Sequence, residues 1–379
     1  MKLVIYSVVL NHHQAPVADE LYNLLGEDFR FVELVAQDDI KGATDDFSCR
    51  PYLIKAWSSD DQYAYSMNLA ISAECCIFSG VASLPYMRER LKLGLLSFDM
   101  GERWLKQGLK NVISPAILKM TIVYHLSGWK NKPLYRLCMS AFAAEDHTRL
   151  GMYKGKCYKW GYFTSIPEEA SNGFTRLQNV PASPTHLMWC ARFIDWKHPE
   201  LPIQLAKRLK DDGRKFHLAM YGDGVLRKKI EQQANELGLA DCVHFIGNVP
   251  NYIIHQTMRE SDMFLFTSDH EEGWGAVANE ALSEGCLLIG SDEIGAIPYL
   301  VEDGKNGLIF KSNDINSLYR KVVWAIDHPD EAIAIRKAAI RSMQETWSPK
   351  NAAHSLLQLI NDLSNGKDTS IKDGPGSKA

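Results

Sequence analysis

Two carboxylates lie in a glycine-containing segment between a strand-like run and a helix-like run. Glu272 and Glu280 belong to residues 268–285, which follow the apolar run 263–267, and residues 276–283 favour a helix. The N–H groups at the start of such a helix bind phosphate, and a carboxylate beside them suits the paired hydroxyls of a ribose. A nucleotide sugar is both phosphorylated and rich in hydroxyl groups, so it would bind the N–H groups and the carboxylate together. The alternative is that these acids only stabilise the helix N-terminus electrostatically.

Two cations accompany another strand-like run. Residues 185–193 are rich in strand-forming residues, and Arg192 and Lys197 lie at its end and just beyond it. An arginine can bind a diphosphate through two parallel hydrogen bonds, and a lysine adds a compact positive charge. Together they would stabilise a departing nucleoside diphosphate. The alternative is that both are solvated surface cations.

A further glycine-containing turn, Tyr221-Gly-Asp-Gly224, follows the strand-like residues 216–220. It lacks a third glycine at the spacing of the dinucleotide-binding fingerprint. This absence disfavours a nicotinamide-dependent dehydrogenase.

Strand-like and helix-like segments alternate in two sets, and these must position the candidate residues. The first set has strands at 3–10, 31–35, 75–78 and 136–138 and a helix at 15–25. The second set has strands at 185–193, 216–221, 243–246, 263–267 and 287–289 and helices at 200–210 and 225–237. This alternation predicts an α/β fold of two Rossmann-like domains with parallel sheets. Because ligands bind outside the carboxyl ends of parallel strands, we expect the two binding edges to face each other across a cleft.

Composition predicts the domain boundaries. Residues 1–165 form an N-terminal Rossmann-like domain and residues 185–349 a C-terminal one. Residues 166–184 are rich in Pro, Ser, Asn and Gly, which is typical of a linker. The final residues 365–379 are mostly Gly, Ser, Lys and Asp without an apolar period, and are predicted to be a disordered tail.

Composition also restricts the class of protein. With 46% hydrophobic and 23% charged residues over 379 positions, the chain is globular rather than disordered or fibrous. It has no apolar run of the roughly 18 residues that a membrane span needs, and residues 3–10 are interpreted as a strand rather than part of a signal sequence. The eight cysteines form no Cys-x-x-Cys pair, which predicts reduced thiols in a cytoplasmic protein.

The motifs of the second domain together resemble a known family. In chain order they are Arg192…Lys197, Gly222-Asp-Gly224, Phe245-Ile-Gly-Asn248, Glu272-Gly-Trp-Gly275…Glu280-Ala and Gly304-Lys-Asn-Gly-Leu308. This order is similar to that of the GT-B glycosyltransferases of family 4, the retaining "group 1" enzymes, whose motif places seven residues between two glutamates. The likeness covers about residues 185–310 and implies the GT-B fold and an enzyme of the bacterial surface-polysaccharide type.

The resemblance implies roles for residues of the second domain. Glu280 would bind the ribose, Glu272 would contact a hydroxyl of the donor sugar, and Arg192 and Lys197 would hold the diphosphate as it departs. The other implied donor-binding residues are Trp274, Gly275, Ala276 and Val277 near the sugar and diphosphate, Gly222, and Asn248 and Val249 beside the base. The family also implies retention of anomeric configuration, no metal and no cofactor. A UDP- or GDP-type nucleotide sugar would be the co-substrate, and a helix at about 350–364 would pack back on the first domain.

The first domain resembles the family less closely. Its loop at 11–16 contains a histidine doublet and follows the first predicted strand, so it should face the cleft. The alternative for each histidine is a purely structural role. The candidates for contact with the acceptor or the donor sugar are His12, His13, His125, Glu102 and Arg103.

Charge is distributed unevenly along the chain. The net charge is −4, which argues against nucleic-acid binding. Residues 86–160 nevertheless contain 14 Lys and Arg against 5 Asp and Glu, interleaved with aromatic residues. This composition is typical of a surface that contacts anionic lipid, and it favours a saccharide acceptor linked to a polyprenyl lipid. The alternative is a solvated face with aromatic residues in the core.

We therefore expect a retaining hexosyltransferase that uses a nucleotide sugar and a saccharide acceptor, in the cytoplasm or on the inner face of the plasma membrane. Two alternatives stay open: a non-catalytic nucleotide-sugar-binding domain and a nucleotide-sugar epimerase. A non-catalytic domain would have no need of Glu272, Glu280, Arg192 and Lys197 together, and epimerases of this fold normally lack this combination.

Overall fold

The structure is a computed structural model that describes residues 1–36, 47–166 and 184–379. The chain divides into two compact units. Unit 1 consists of Met1–Ser165 and Trp347–Ala379, and unit 2 of Ile166–Thr346. The predicted linker at 166–184 lies, apart from its two end residues, outside the described residues. Within the described residues, no helix combines the length and the apolar character needed to cross a bilayer.

Unit 1 contains a seven-stranded sheet in which every neighbouring pair of strands is parallel. The strand order is β3-β2-β1-β4-β5-β6-β7. The strands are β1 (Leu3–Ser7), β2 (Phe29–Glu33), β3 (Leu53–Lys55), β4 (Cys75–Ser79), β5 (Ser97–Gly101), β6 (Leu134–Cys138) and β7 (Cys157–Lys159). The helices before residue 166 are α1 (Ala15–Leu25), α2 (Asp60–Ser72), α3 (Leu84–Lys92), α4 (Pro115–Leu126) and α5 (Ala143–Arg149).

Unit 2 contains a second parallel sheet, of six strands, in the order β10-β9-β8-β11-β12-β13. Its strands are β8 (Thr185–Cys190), β9 (Phe216–Tyr221), β10 (Val243–Gly247), β11 (Met263–Phe266), β12 (Leu287–Ser291) and β13 (Leu308–Phe310). Its helices are α6 (Glu200–Asp211), α7 (Arg227–Glu236), α8 (Asn251–Glu260), α9 (Val277–Ser283), α10 (Ile297–Leu300), α11 (Ile315–Asp327) and α12 (Pro329–Glu345). Two parallel sheets in two Rossmann-like units confirm the predicted α/β class.

Helices cover the sheets because the central strands are buried on both faces. All five residues of β1 are buried, as are all four of β11 and all five of β12. Such strands need helices on each side of the sheet. Helix α6 supplies one of these covers in unit 2, with Leu201, Leu205 and Leu209 recurring every four residues and packed into the core.

Three strands of unit 1 were not predicted, each for a physical reason. Strands β3 and β7 have three residues each, too few for a clear pattern. In β5 the charged Asp99 interrupts the apolar run, yet Asp99 is buried. Its carboxylate is 2.7 Å from Arg136 Nη1 on the adjacent strand β6, and it accepts a 2.7 Å hydrogen bond from the Tyr153 hydroxyl. The ion pair allows a charge inside the sheet.

The chain returns to unit 1 through helix α13 (Pro349–Ser364), which packs on α1. The following residues 365–379, predicted to be disordered, instead form backbone hydrogen bonds with the edge strand β7. Lys159 N donates to Ser377 O at 2.7 Å, Gly376 N to Lys159 O at 2.8 Å, and Ala379 N to Cys157 O at 3.2 Å. The prediction of disorder is therefore corrected. Main-chain groups form these bonds, so no apolar side-chain period was needed.

Deletion of residues 367–379 should destabilise unit 1, because it removes these bonds and leaves the β7 edge unpaired. We expect the Tm to fall by at least about 2–4 °C, the shift that ~1 kcal/mol causes in a domain of this size. Calorimetry of the full chain and the truncated chain would measure it. Lys372→Ala, an exposed change in the same segment, should leave the Tm unchanged, and an equal Tm for the truncated chain would contradict the assignment.

Candidate functional site

The candidate residues of unit 2 lie where the strand order of its sheet reverses. Strand β8 is followed along the chain by β9 and β10 on one side, and β11 pairs with its other side. The loop after β8 and the loop after β11 therefore leave adjacent strands at their carboxyl ends. Such a reversal opens a crevice that commonly binds ligands in α/β sheets.

A buried ion pair joins these two loops. The Lys197 ammonium contacts the Glu272 carboxylate, and the two side chains are 12% and 11% exposed. Lys197 Nζ also lies 4.3 Å from the centre of the Trp196 ring. Burial lowers the pKa of Lys197, and the Glu272 carboxylate opposes this effect. The structure thus brings together two of the residues predicted to be catalytic.

A second set of contacts holds the backbone around Lys197. His198 adopts a positive φ of 48°. Its Nδ1 is 2.8 Å from Glu200 Oε1, and its Nε2 is 3.0 Å from Asp269 Oδ2. Burial disfavours the charged imidazole, but the hydrogen bonds to Glu200 and Asp269 outweigh it and raise the pKa of His198. Thr267 Oγ1 donates a 2.7 Å bond to Lys197 O.

These positioning residues were not predicted from the sequence. The position of Asp269, two residues after the apolar run 263–267 and inside the motif-rich loop, was the available signal. Thr267 also accepts a 2.9 Å bond from Trp189 Nε1, so it ties the loop to the buried face of β8. Nothing in the spacing shows that His198 bridges the two loops.

Arg192 lies on the exposed side of the same site. Its guanidinium carbon is 5.7 Å from the centre of the Trp196 ring, which Lys197 also contacts. Trp196 therefore packs against both predicted diphosphate ligands through cation–π contacts. Trp196 is a further site residue that sequence reasoning did not single out.

Glu280 lies in the first turn of α9 and is 8% exposed. The pKa of the Cys190 thiol is raised to about 12, chiefly by burial and then by the Glu280 carboxylate. The negative charge of Glu280 thus raises the pKa of Cys190 at the carboxyl end of β8, and the positive charge of Lys197 lowers it. Glu280 lies in the first turn of the helix that follows the Glu272 loop, so both glutamates and Lys197 lie near the carboxyl ends of the adjacent strands β8 and β11.

The segment between the glutamates is fixed by its backbone. Gly275 has φ +88°, and a Cβ there would lie 2.4 Å from Phe266 Cζ. The Trp274 side chain is fully buried, and its Nε1 donates a 2.9 Å bond to Asn279 Oδ1. Because the Trp274 indole is packed inside, a ligand at this segment would meet main chain. Ala276 caps α9, and Val277 is its first residue.

Gly222, Asn248 and Val249 follow β9 and β10. A Cβ at Gly222 would lie 2.1 Å from Ala191 O, and Gly222 N donates a 2.8 Å bond to Gly247 O. This glycine therefore allows close packing of the loop that carries Arg192. Asn248 is exposed and Val249 half-buried.

The histidine doublet of unit 1 forms a turn after β1. His12 and His13 have ring centres 3.8 Å apart, and the His13 ring is 5.4 Å from that of Tyr162. His13 N donates a 3.0 Å bond to Asn11 Oδ1. His125 lies elsewhere, in the last turn of α4, where its Nε2 is 3.0 Å from Leu150 O.

A cavity of about 450 Å³ lies at the carboxyl ends of β4, β5 and β6 in unit 1. Glu102 and Arg103 line it, whereas His12, His13 and His125 do not. Its charged groups are paired. Lys106 Nζ is 2.7 Å from Glu102, Arg103 is 3.3 Å from Asp146, and Arg136 is 2.7 Å from Asp99.

The described residues contain no group of three or more His, Cys, Asp or Glu arranged to hold a metal ion.

Unit 2 is similar in sequence to a known family. Residues 178–342 match the sequence model described as glycosyl transferases group 1. Over this range the chain is similar to the group 1 glycosyltransferases. The predicted resemblance to group 1 glycosyltransferases is thereby confirmed, and the candidate pair Lys197–Glu272 lies within the matched residues.

Curated relatives match part of the chain in sequence. A putative colanic acid biosynthesis glycosyltransferase, WcaL of Escherichia coli, is 24% identical over 190 residues, which is 48% of this chain and 47% of WcaL. A putative glycosyltransferase, EpsF of Bacillus subtilis, is 38% identical over 104 residues, 27% of this chain and 26% of EpsF. The matched part of the chain thus spans about half the length of WcaL and about a quarter of the length of EpsF.

Solved structures resemble the whole chain in fold. The Anabaena protein HepE in complex with UDP superposes with a TM-score of 0.68 at 15% identity, covering 96% of this chain and 100% of HepE. A Rickettsia africae glycosyltransferase gives a TM-score of 0.68 at 14% identity, covering 96% and 99%. These similarities confirm the predicted GT-B fold class.

Gly275→Ala should destabilise unit 2, because the new Cβ overlaps Phe266. Gly238→Ala is the matched control, since Gly238 has φ +66° and open space around an added Cβ. Both variants carry the left-handed backbone cost of about 1–2 kcal/mol, and the overlap should add about 1–3 kcal/mol to Gly275→Ala alone. Denaturant unfolding would measure both, and equal losses would show that residue 275 has room for a side chain.

His147, beneath the cavity of unit 1, should make stability depend on pH. Its ring is fully buried against Trp104, with 4.6 Å between ring centres, and neither ring nitrogen has a hydrogen-bond partner in the described residues. Burial, and secondarily the charge of Arg136, lowers the pKa of His147 well below 6.5. The unfolded chain therefore binds this proton first. Stability should be level above pH 6.5 and fall below it, by at most about 1.4 kcal/mol per pH unit.

The measurement is the free energy of unfolding across a pH series. His147→Phe should remove this part of the slope, while His354→Gln, an exposed histidine of the same unit, should retain it. An unchanged slope in His147→Phe would contradict the assignment.

Proposed function

We propose that the chain is a retaining glycosyltransferase that transfers a hexose-type sugar from a nucleoside-diphosphate sugar to a hydroxyl of a saccharide acceptor. The observation that carries this proposal is the buried Lys197–Glu272 pair beside Arg192 at the strand reversal of the group 1 domain. It combines cations for a diphosphate with a carboxylate for a sugar hydroxyl. The alternatives from the sequence, an epimerase or an inactive binding domain, are outcomes of the tests below.

The proposed donor is a UDP-sugar, with a GDP-sugar as the alternative. HepE was solved with UDP, with UDP and glucose, and with UDP-glucose. The likeness to HepE concerns the fold alone and does not identify the donor. Because HepE binds UDP, UDP is the first nucleotide to test. Glu280 would accept hydrogen bonds from the ribose, and Asn248 and Val249 would lie beside the base.

The proposed reaction uses charges that the domain already holds in place. The bond between the anomeric carbon and the diphosphate oxygen breaks, and its electron pair leaves with the diphosphate. Arg192 and Lys197 stabilise this developing charge, while Glu272 accepts a hydrogen bond from the sugar. The acceptor oxygen forms the new bond on the same face of the sugar, and its proton passes to an oxygen of the departing diphosphate. No metal ion is needed in this scheme.

The proposed acceptor is a saccharide linked to a lipid, in the synthesis of a surface polysaccharide at the inner face of the plasma membrane. Relatives named for colanic acid and amylovoran biosynthesis support a polysaccharide product. The cavity of unit 1 is the proposed place for the saccharide part. There Glu102 is paired with Lys106, and Arg103 is paired with another carboxylate of the unit. The histidines His12, His13 and His125 do not line this cavity.

Nucleotide binding is the first test of this proposal. UDP, GDP, ADP and NAD would be added separately to the purified chain without metal, and the Tm recorded. A ligand at about 100 times its Kd adds about 2.7 kcal/mol of stability. We expect stabilisation by one nucleoside diphosphate, UDP first, whereas stabilisation by NAD alone or by none would refute the proposed donor.

Substitutions at the site test the assigned roles. Arg192→Ala and Glu280→Gln should each reduce transfer about 10²- to 10³-fold, because each removes a charged contact with the donor. Arg192 is exposed, so its loss should not affect folding, and Arg320→Ala on α11 is the matched exposed control. Transfer rates with the donor found above would be measured. A near-normal rate in both site variants would reject the assignment, and conversion of the donor to an epimer would favour the epimerase.

A further inference from the structure

Helix α4 and the turn before it expose large aliphatic side chains. Ile113 is 83% exposed, and Leu118, Ile122 and Leu126 are 47%, 46% and 84% exposed. The last three recur every four residues, so they form one stripe along the helix. We call these four residues the α4 patch. Water is an unfavourable environment for such a stripe, which is typical of an interaction surface.

The surroundings of the α4 patch are positively charged. Residues 103–144 contain no Asp or Glu, and three of their seven Lys and Arg line the cavity and are paired with carboxylates, which leaves Lys110, Lys119, Lys130 and Lys132 outside these pairs. Lys110, Lys119 and Lys130 are exposed, and Lys119 belongs to α4 itself. An apolar stripe flanked by lysines is complementary to a surface that is apolar inside and anionic outside.

The opposite face of α4 already has its partners. Met120 and Tyr124 are buried in the core of unit 1, and the Tyr124 hydroxyl accepts a 3.0 Å bond from Tyr153 N. Ala116, Ile117 and Met120 also line the 450 Å³ cavity. The inner face therefore fixes the helix, and the fold does not require the outer stripe to be apolar.

We propose that unit 1 docks on an anionic lipid bilayer through the α4 patch. Its aliphatic side chains enter the acyl region, and the neighbouring lysines contact the headgroups. A helix of 12 residues spans only about 18 Å, which is shorter than the ~30 Å hydrocarbon core, so α4 lies in the interface and does not cross it. A second copy of the chain is a poorer partner, because a two-fold contact through this patch would bring its lysines together.

One consequence rests on the proposed function. Because α4 carries the patch on one face and cavity residues on another, docking would bring the cavity close to the bilayer surface. The acceptor would then be an amphiphile whose lipid part stays in the bilayer while its saccharide part enters the cavity.

The experiment is vesicle co-sedimentation of the full chain. Vesicles of phosphatidylcholine alone would be compared with equimolar phosphatidylcholine and phosphatidylglycerol, at low and high salt. We expect binding to the anionic vesicles, weakened by salt. Leu118→Glu/Ile122→Glu should lower the bound fraction at least about tenfold, and Lys110→Gln/Lys119→Gln should abolish the preference for anionic vesicles. Leu24→Glu is the matched control, because Leu24 lies on α1 and is 42% exposed. This variant should bind vesicles as the unmodified chain does.

Three outcomes would overturn docking: no binding by the unmodified chain, unchanged binding by the Leu118/Ile122 variant, or self-association that only this variant loses. Circular dichroism and the Tm would confirm that each variant is folded. The nucleotide-dependent Tm shift, measured on the same samples, separates the two proposals. If vesicles bind but no nucleotide stabilises the chain, docking stands and the glycosyltransferase proposal fails, and the reverse result has the opposite meaning.

Discussion

The candidate site depends on one buried ion pair. Lys197 and Glu272 are each about nine-tenths buried, and burying two charges costs several kcal/mol per ion unless geometry and hydrogen bonds compensate. The compensation is structural: adjacent strands β8 and β11 bring the loops together, and His198 links Asp269 to the loop that holds Lys197. The charges are therefore oriented before a ligand arrives, which reduces the reorganisation that transfer would require.

The two units differ in whether the cations of their candidate sites are paired with carboxylates. In the unit 1 cavity, Lys106, Arg103 and Arg136 each face a carboxylate of the same unit. An entering anion would have to compete with those carboxylates, whereas a neutral, hydroxyl-rich molecule could hydrogen-bond with the paired groups. In unit 2, Arg192 is exposed beside the Trp196 ring. This difference supports the proposal that unit 2 takes the diphosphate and unit 1 a neutral saccharide.

The sequence predicted the two parallel sheets because apolar runs alternated with helical periods, and it placed Lys197 and Glu272 at one edge because both follow buried strands. It could not predict their contact, because the path of the loop depends on the positive φ of His198 and its bond to Asp269, far along the chain. Strand β5 was missed because Asp99 interrupts its pattern, and only the folded chain brings Arg136 beside it. The order of residues 365–379 was missed because main-chain hydrogen bonds to β7 leave no side-chain period.

Helix α4 is the element whose sequence fits a water-soluble domain least well. A helix on the surface of such a domain normally has one apolar stripe facing the core and polar residues elsewhere. In α4 the inner residues Met120 and Tyr124 are apolar or aromatic and buried, yet Leu118 and Ile122 on the outside are apolar as well. Folding explains only the inner face. A second apolar environment explains the outer face, and the excess of lysine around it indicates that this environment carries negative charge at its border, as an anionic bilayer does.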